Sequence, residues 1–209
     1  MNGSEMEIAI MGAGGFAKEA AELVEALGHS VVGFWEEPGF GAGELLMGSR
    51  VFPRLRDLKA DAAIVATGEP LLRQKFFEIA SRSFRMVSLV HPSACVSRHA
   101  VLGTGTLVMQ NVVVNADAIV GDDCLLNVAC CVAHDCRVGS HVHLAPAVQL
   151  GGWSSVGDSV FCGTAAVVLP RVAVGNSAVC GAGSVVLRNV VEGDTVVGIP
   201  ARSRPERVG

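Results

Sequence analysis

From Val96 to Val191 the chain repeats every six residues without an insertion. The first place of each hexad is Val, Leu or Cys in all sixteen repeats, from Val96 and Leu102 through Leu126, Val132 and Leu150 to Cys180 and Val186. The fifth place is always small or valine-sized, as in Ala100, Thr106, Cys124, Cys130, Cys136, Ser154 and Ala178. The second place is Gly in eight repeats, among them Gly103, Gly121, Gly139, Gly151, Gly163 and Gly181. A helix repeats every 3.6 residues and a half-buried strand every two, so a period of six fits neither. It fits a triangular parallel β-helix with one hexad per side, in which residues 18 apart stack and the run forms roughly five coils. The aliphatic residue points into the prism, the small residue fits its narrow interior, and Gly at the corner is expected to relieve backbone strain.

This pattern accounts for the cysteines. All seven follow residue 94, their number is odd, and no CxxC pair exists. A disulfide framework and a zinc site are therefore both unexpected. Cys124, Cys130, Cys136, Cys162 and Cys180 occupy inward places and read as small core hydrophobes. Composition narrows the rest. Half the residues are apolar and 17% charged, which excludes a solvated disordered chain. A net charge of −4 with scattered arginines does not suit a nucleic-acid surface. No apolar run reaches ~18 residues, so no membrane span is expected. Met1 to Glu7 is polar and acidic, unlike a secretory leader, and the default expectation is a cytoplasmic protein.

Residues 1–90 follow a different grammar. Glu7–Met11, Val31–Trp35 and Ala62–Ala66 read as strands, Phe16–Leu27 and Leu71–Arg82 as helices, and Met86–Val90 as a last strand. Strands alternating with helices make a small α/β unit with a parallel sheet. Gly12, Ala13, Gly14 and Gly15 join the first strand to the first helix. Such a turn offers backbone N–H groups and a helix N-terminus to a phosphate. Gly12, Gly14 and Ala17 also satisfy a loose dinucleotide pattern. The unit is half the size of a full dinucleotide fold, so one nucleotide fits better than two; a tight turn with no ligand is the plainer reading. His91-Pro92-Ser93 hands over to the coils. The expected division is 1–90 for the α/β domain, 91–198 for the β-helix and 199–209 for a tail.

The hexads resemble the hexapeptide-repeat acyltransferases, whose β-helix is left-handed and usually trimeric; handedness and trimer are implied by the resemblance. The order of a nucleotide-binding α/β unit, His91-Pro92-Ser93-Ala94 and the coils is similar to the NeuD/PglD type of sugar-nucleotide 4-amino N-acetyltransferases. The likeness also rests on Phe34-Trp35-Glu36-Glu37, Asn111 to Asn115, Ala133-His134-Asp135-Cys136 and the closing Gly198-Ile199-Pro200-Ala201-Arg202. Two positions depart from it. Phe16 stands where the family usually has His, and Glu36-Glu37 replace an aspartate pair.

His134 holds the third place of its hexad, an outward position where a lone histidine is most often inert. The adjacent Asp135 can orient the imidazole and raise its basicity, and the resemblance makes the two the catalytic pair. The implied reaction is acetyl transfer from acetyl-CoA to the amine of a UDP- or GDP-linked deoxy amino sugar. An imidazole, ordinarily near pKa ~6.5, can take the ammonium proton. Gly152 lies 18 residues on, one coil above His134, and its family counterpart donates a backbone N–H to the oxyanion.

The resemblance assigns Gly12, Gly14, Gly15, Phe16, Glu36, Glu37 and Gly68 to the sugar nucleotide and Asn127 to the neighbourhood of the acceptor amine. It assigns His143, Gly152, Gly163 and Ala182 to acetyl-CoA. Corner hydrogen bonding is the plain alternative for Asn127, and a structural corner the plain alternative for Gly163. His141 reads as a surface residue. No metal is expected. O-acetylation of the sialic acid type, a non-catalytic hexapeptide binding protein and a nicotinamide oxidoreductase remain as alternatives.

Overall fold

The computed structural model describes residues 5–37 and 44–204. The start of the acidic N-terminal segment, residues 1–4, and residues 205–209 of the expected tail lie outside that range. The front domain is a six-stranded sheet: β1 (Glu7–Met11), β2 (Ser30–Trp35), β3 (Leu45–Leu46), β4 (Ser49–Phe52), β5 (Ala62–Val65) and β6 (Arg85–Met86), in the order β3-β4-β2-β1-β5-β6. Only the β3–β4 hairpin is antiparallel. Two-residue alternation splits the sheet's side chains. Ile8, Ile10, Phe34 and Ile64 face helix α1 (Gly15–Ala26) and share its core. Ala9, Met11, Trp35, Ala63 and Val65 cluster with Phe76 and Ala80 of helix α2 (Pro70–Ala80).

The chain leaves β1 toward β2 on one side and returns to place β5 on the other, so strand order reverses between β1 and β5. Loops leaving the two strands diverge there and open a crevice, the usual ligand position of a doubly wound sheet.

The expected strand Met86–Val90 is two elements. Arg85–Met86 closes the front sheet, whereas Leu89–Val90 pairs with Leu107–Val108 as the first rung of the coils. The register set by the 18-residue coil overrides the apolar continuity of the segment. The hairpin Leu45–Phe52 has no counterpart in the sequence reading, because its two- and four-residue strands carry too little periodicity.

The second domain is a three-sided parallel β-helix of two-residue rungs. One ladder runs through seven parallel rungs from Leu89–Val90 to Thr195–Val197, beyond the five coils expected, because the fold recruits a rung at each end of the hexad run. Arg202–Ser203 then folds back antiparallel on Val196–Val197. The inward cysteines Cys124, Cys130, Cys136, Cys162 and Cys180 are fully buried free thiols. Burial pushes Cys124 and Cys130 up to about 12, which suits filler and not nucleophiles.

The corners correct the expectation about glycine. The left-handed φ falls on the fourth place of the hexad, at Asn111, Asp117, Asp123, Ala129, Asp135, His141 and on to Ser177, with φ between 50° and 65°. Second-place glycines are absent from this conformation and are required by close approach. A Cβ at Gly121 would lie 2.7 Å from the Gly139 carbonyl carbon, and one at Gly157 would meet Asn176. Stacked corners touch, so the glycine relieves contact between coils and not torsion within one.

The two domains share buried polar contacts. Arg73 of α2 and Asp123 of a prism corner are both fully buried and paired at 2.6 Å. Arg73 also donates to the Asp123, Val65 and Thr67 carbonyls. Among the described residues no helix is long and apolar enough to cross a membrane.

Candidate active site

The crevice at the strand-order reversal is a cavity of about 460 Å³ lined by Gly12 to Phe16, Glu36, Ala66 to Gly68, Leu72 and Phe76. Gly12 is needed by the fold: its φ is 112°, and a Cβ there would stand 2.8 Å from the Ala66 carbonyl oxygen. At Gly14 and Gly15 a Cβ would meet nothing within 4 Å. No protein atom requires glycine at those two positions; both border open cavity. Helix α1 starts there with no side-chain cap and no acidic residue in its first turn, so its free N–H groups suit an anion.

The acidic pair divides. Glu36 lines the cavity and accepts from the Ala13 N–H at 2.8 Å, bracing the glycine turn. Glu37 does not line it and is paired with Lys75 at 2.8 Å.

A second cavity, of about 570 Å³, adjoins the first through Gly68 and is walled by Glu69, Pro70, Leu71, His143, Ser159, Phe161, Ser177 and Val179. His143 is 8% exposed, and its Nδ1 donates to the Gly68 carbonyl at 2.6 Å. That bond fixes the tautomer and leaves Nε2 as a lone-pair acceptor, buried without a partner among the described residues. Burial, and then the charge of Arg73, lower its pKa to about 4 against the Gly68 bond, so the ring is neutral near pH 7. His141, read from sequence as surface, is half-buried. It bonds Asp123 at 3.0 Å and meets Phe77 edge-on. Its corner faces the front domain, which the hexad pattern alone does not reveal.

His134 and Asp135 stand on a different corner, stacked with Ala116, Gly152 and Pro170 at 18-residue spacing. The imidazole is half exposed, and its Nδ1 donates to Asp135 Oδ2 at 2.8 Å. Nε2 is thereby left to accept a proton. A Cβ on Gly152 would lie 2.7 Å from both Cε1 and Nε2 of the ring. Gly152 is buried, and its N–H has no acceptor in the hydrogen-bond network of the described residues. The Nε2 edge of the imidazole therefore packs against a glycine whose N–H is unengaged among the described residues.

The other assigned residues sit apart. Asn127 is a buried corner residue whose Oδ1 accepts from the Val128 N–H at 2.7 Å. Gly163 is buried beneath Ala182, whose N lies 2.6 Å from where a Cβ would be, so coil stacking explains the glycine. Ala182 itself is exposed on the same corner.

Sequence reasoning missed Arg73, Asp123 and the exposed Trp153. Arg73 stands three and seven residues before Phe76 and Ala80, a register that carried a usable signal of burial. Asp123 shares its hexad place with Asp117 and Asp135 and carried none.

Residues 7–80 match the model of the PglD N-terminal domain. Over the whole chain the fold is similar to PerB from Caulobacter crescentus, a structure in complex with CoA and GDP-perosamine. That match has 36% identity and a TM-score of 0.88, and covers 96% of this chain and 100% of that one. A histidine variant of perosamine N-acetyltransferase from the same organism, also with CoA and GDP-perosamine, matches at 34% identity and TM-score 0.88, covering 96% and 99% of the two chains. The acetyltransferase domain of PglB from Neisseria gonorrhoeae FA1090, in complex with acetyl coenzyme A, matches at 32% identity and TM-score 0.88, covering 96% and 100%.

Proposed function

The chain belongs to the PglD-type sugar N-acetyltransferases of the hexapeptide-repeat, left-handed β-helix class, and from that premise we propose a division of the reaction among its own residues. The protein transfers acetyl from acetyl-CoA to the amine of a nucleotide-linked amino sugar. The diphosphate of the sugar nucleotide lies on the Gly14-Gly15 turn and the N-terminus of α1, beside Glu36 and Gly68. The observation that carries this is the open space over Gly14 and Gly15 at an uncapped helix start.

His134 Nε2 takes a proton from the sugar ammonium, and Asp135 holds the imidazole through Nδ1. The freed amine forms the new C–N bond at the thioester carbonyl, and the Gly152 N–H stabilises the oxyanion. As the C–S bond breaks, the imidazolium returns its proton to the thiolate, and the second proton lost from the nitrogen passes to water, leaving a neutral amide and free CoA thiol. No cysteine takes part in this scheme, and the five inward thiols are buried in the prism. The similarity to GDP-perosamine complexes favours a GDP-linked 4-amino-dideoxy sugar over a UDP-linked one. The same reading has the enzyme serve surface glycan synthesis in the cytoplasm.

The test is thiol release from acetyl-CoA with GDP-, UDP- and dTDP-linked 4-amino sugars. One of these should turn over, and Gly14→Val should raise the KM for that sugar nucleotide while leaving the KM for acetyl-CoA unchanged. Activity only with a hydroxyl acceptor would establish O-acetylation instead. Equal loss of both affinities in the variant would move the nucleotide elsewhere.

A homotrimer is part of the same reading. The nucleotide cavity abuts the part of the prism that carries Asp123, His141 and His143, whereas His134 stands on another corner. A neighbouring subunit that brings its His134 corner to the cavity would complete the site. Light scattering at micromolar concentration should give about three times the 21.6 kDa chain mass. A monomer with full activity would exclude the shared site.

A further inference from the structure

Trp153 occupies a fourth-place corner directly above Asp135, with φ at 57° and half its surface exposed. A left-handed conformation costs a non-glycine residue roughly 1–2 kcal/mol, and only Asn or Asp lightens that locally. The fold imposes this φ at each fourth place from Asn111 to Ser177, and elsewhere in that run the sequence answers mostly with Asp, Asn, Ser or Ala. An exposed indole gains little from burial, so its contacts must explain it. They are specific. Its ring meets the His134 imidazole edge-on, with centroids 4.4 Å apart at 88°. On the corner one coil higher, the Arg171 guanidinium lies over the indole at 4.6 Å. Arg171 forms no salt bridge among the described residues, and its guanidinium stacks on Trp153.

We propose that Trp153, held by Arg171, is a positioning residue for His134. The half-exposed imidazole has three constraints: Asp135 on Nδ1, the missing Cβ of Gly152 beside Nε2, and the perpendicular indole. Asp135 alone leaves the ring free to swing about its hydrogen bond. The indole closes that rotation and keeps Nε2 beside Gly152, where the proposed reaction needs it. An edge-to-face aromatic pair of this kind contributes about 0.5–1.5 kcal/mol beyond its area, enough to hold a surface side chain in one rotamer. Arg171 adds a cation–π contact that fixes the indole in turn.

The inference rests on His134 being the base, and its test separates the two. Trp153→Ala should lower kcat roughly 10-fold, as expected for lost orientation, with both KM values nearly unchanged. Trp153→Phe, which keeps a perpendicular ring, should recover most of the rate. Trp153→Asn suits the left-handed corner better than Ala and should show the same loss, which removes misfolding as an explanation. In enzyme labelled with 5-fluorotryptophan, the ¹⁹F resonance lost in Trp153→Phe should shift with pH in step with the rate. That shift should disappear in His134→Ala. An inactive His134→Ala beside an unimpaired Trp153→Ala would overturn the positioning role alone. A Trp153 resonance indifferent to His134 would overturn it as well.

Discussion

His134→Ala is expected to lower kcat by roughly 10²–10⁴-fold, the range of a well-placed acid–base group, with much smaller changes in either KM. The size follows from the chemistry being asked of the ring. A sugar amine is mostly ammonium at neutral pH and has no lone pair to attack with until a proton leaves. Asp135→Asn should keep the fold, since Asn tolerates the left-handed corner at φ 61°, and should give a milder loss because the imidazole remains. The wild-type rate should rise with pH through one apparent pKa, and that limb should vanish in His134→Ala. His143 cannot supply it, because burial has already lowered that ring to about 4 and it is neutral throughout the working range. If His134→Ala keeps rates within about threefold of wild type at pH 7.5, the site only aligns a free amine, and general-base catalysis is excluded even for a genuine acetyltransferase.

The parts of the structure legible in the sequence are those that repeat. Six-residue spacing of Val132, Val138 and Leu144 dictates the prism, and 18-residue spacing puts Gly152 over His134 before any coordinates are seen. Strands of four to six residues such as Glu7–Met11 and Ala62–Val65 are legible for the same reason. The corner torsion is not, because Asn111, Ala129, Trp153 and Arg171 share a conformation that their side chains do not announce. The contact between domains is not legible either. A hexad pattern says which residues point outward but not which outward face another domain covers, so His141 and His143 look alike until the front domain is in place. The division between Glu36 and Glu37 turns on a lysine 38 residues away, a pairing no local pattern contains.

The largest effect on stability is expected at that domain contact. Arg73→Met leaves the buried Asp123 carboxylate with its guanidinium gone and only the His141 imidazole against it, and breaking a buried pair in this way costs about 3–5 kcal/mol. Both side chains are fully buried, so water cannot replace the lost partner. The loss should appear as a lower urea midpoint at unchanged slope, read at one fixed protein concentration because assembly would add its own stability. Arg73→Met with Asp123→Asn should recover part of the loss, since the stranded charge is then removed from the core. Recovery should remain incomplete for a reason found in the nucleotide cavity. Arg73 also donates to the Thr67 carbonyl at 2.9 Å and to that of Val65 at 3.3 Å, and the loop they begin forms the cavity wall up to Gly68. The double variant should therefore keep a raised KM for the sugar nucleotide while its KM for acetyl-CoA stays near wild type. A stability loss below about 1 kcal/mol in Arg73→Met would place the pair among those that contribute little, as exposed ion pairs do. A nucleotide KM unchanged in both variants would show that the Ala66–Gly68 wall holds its shape without the guanidinium.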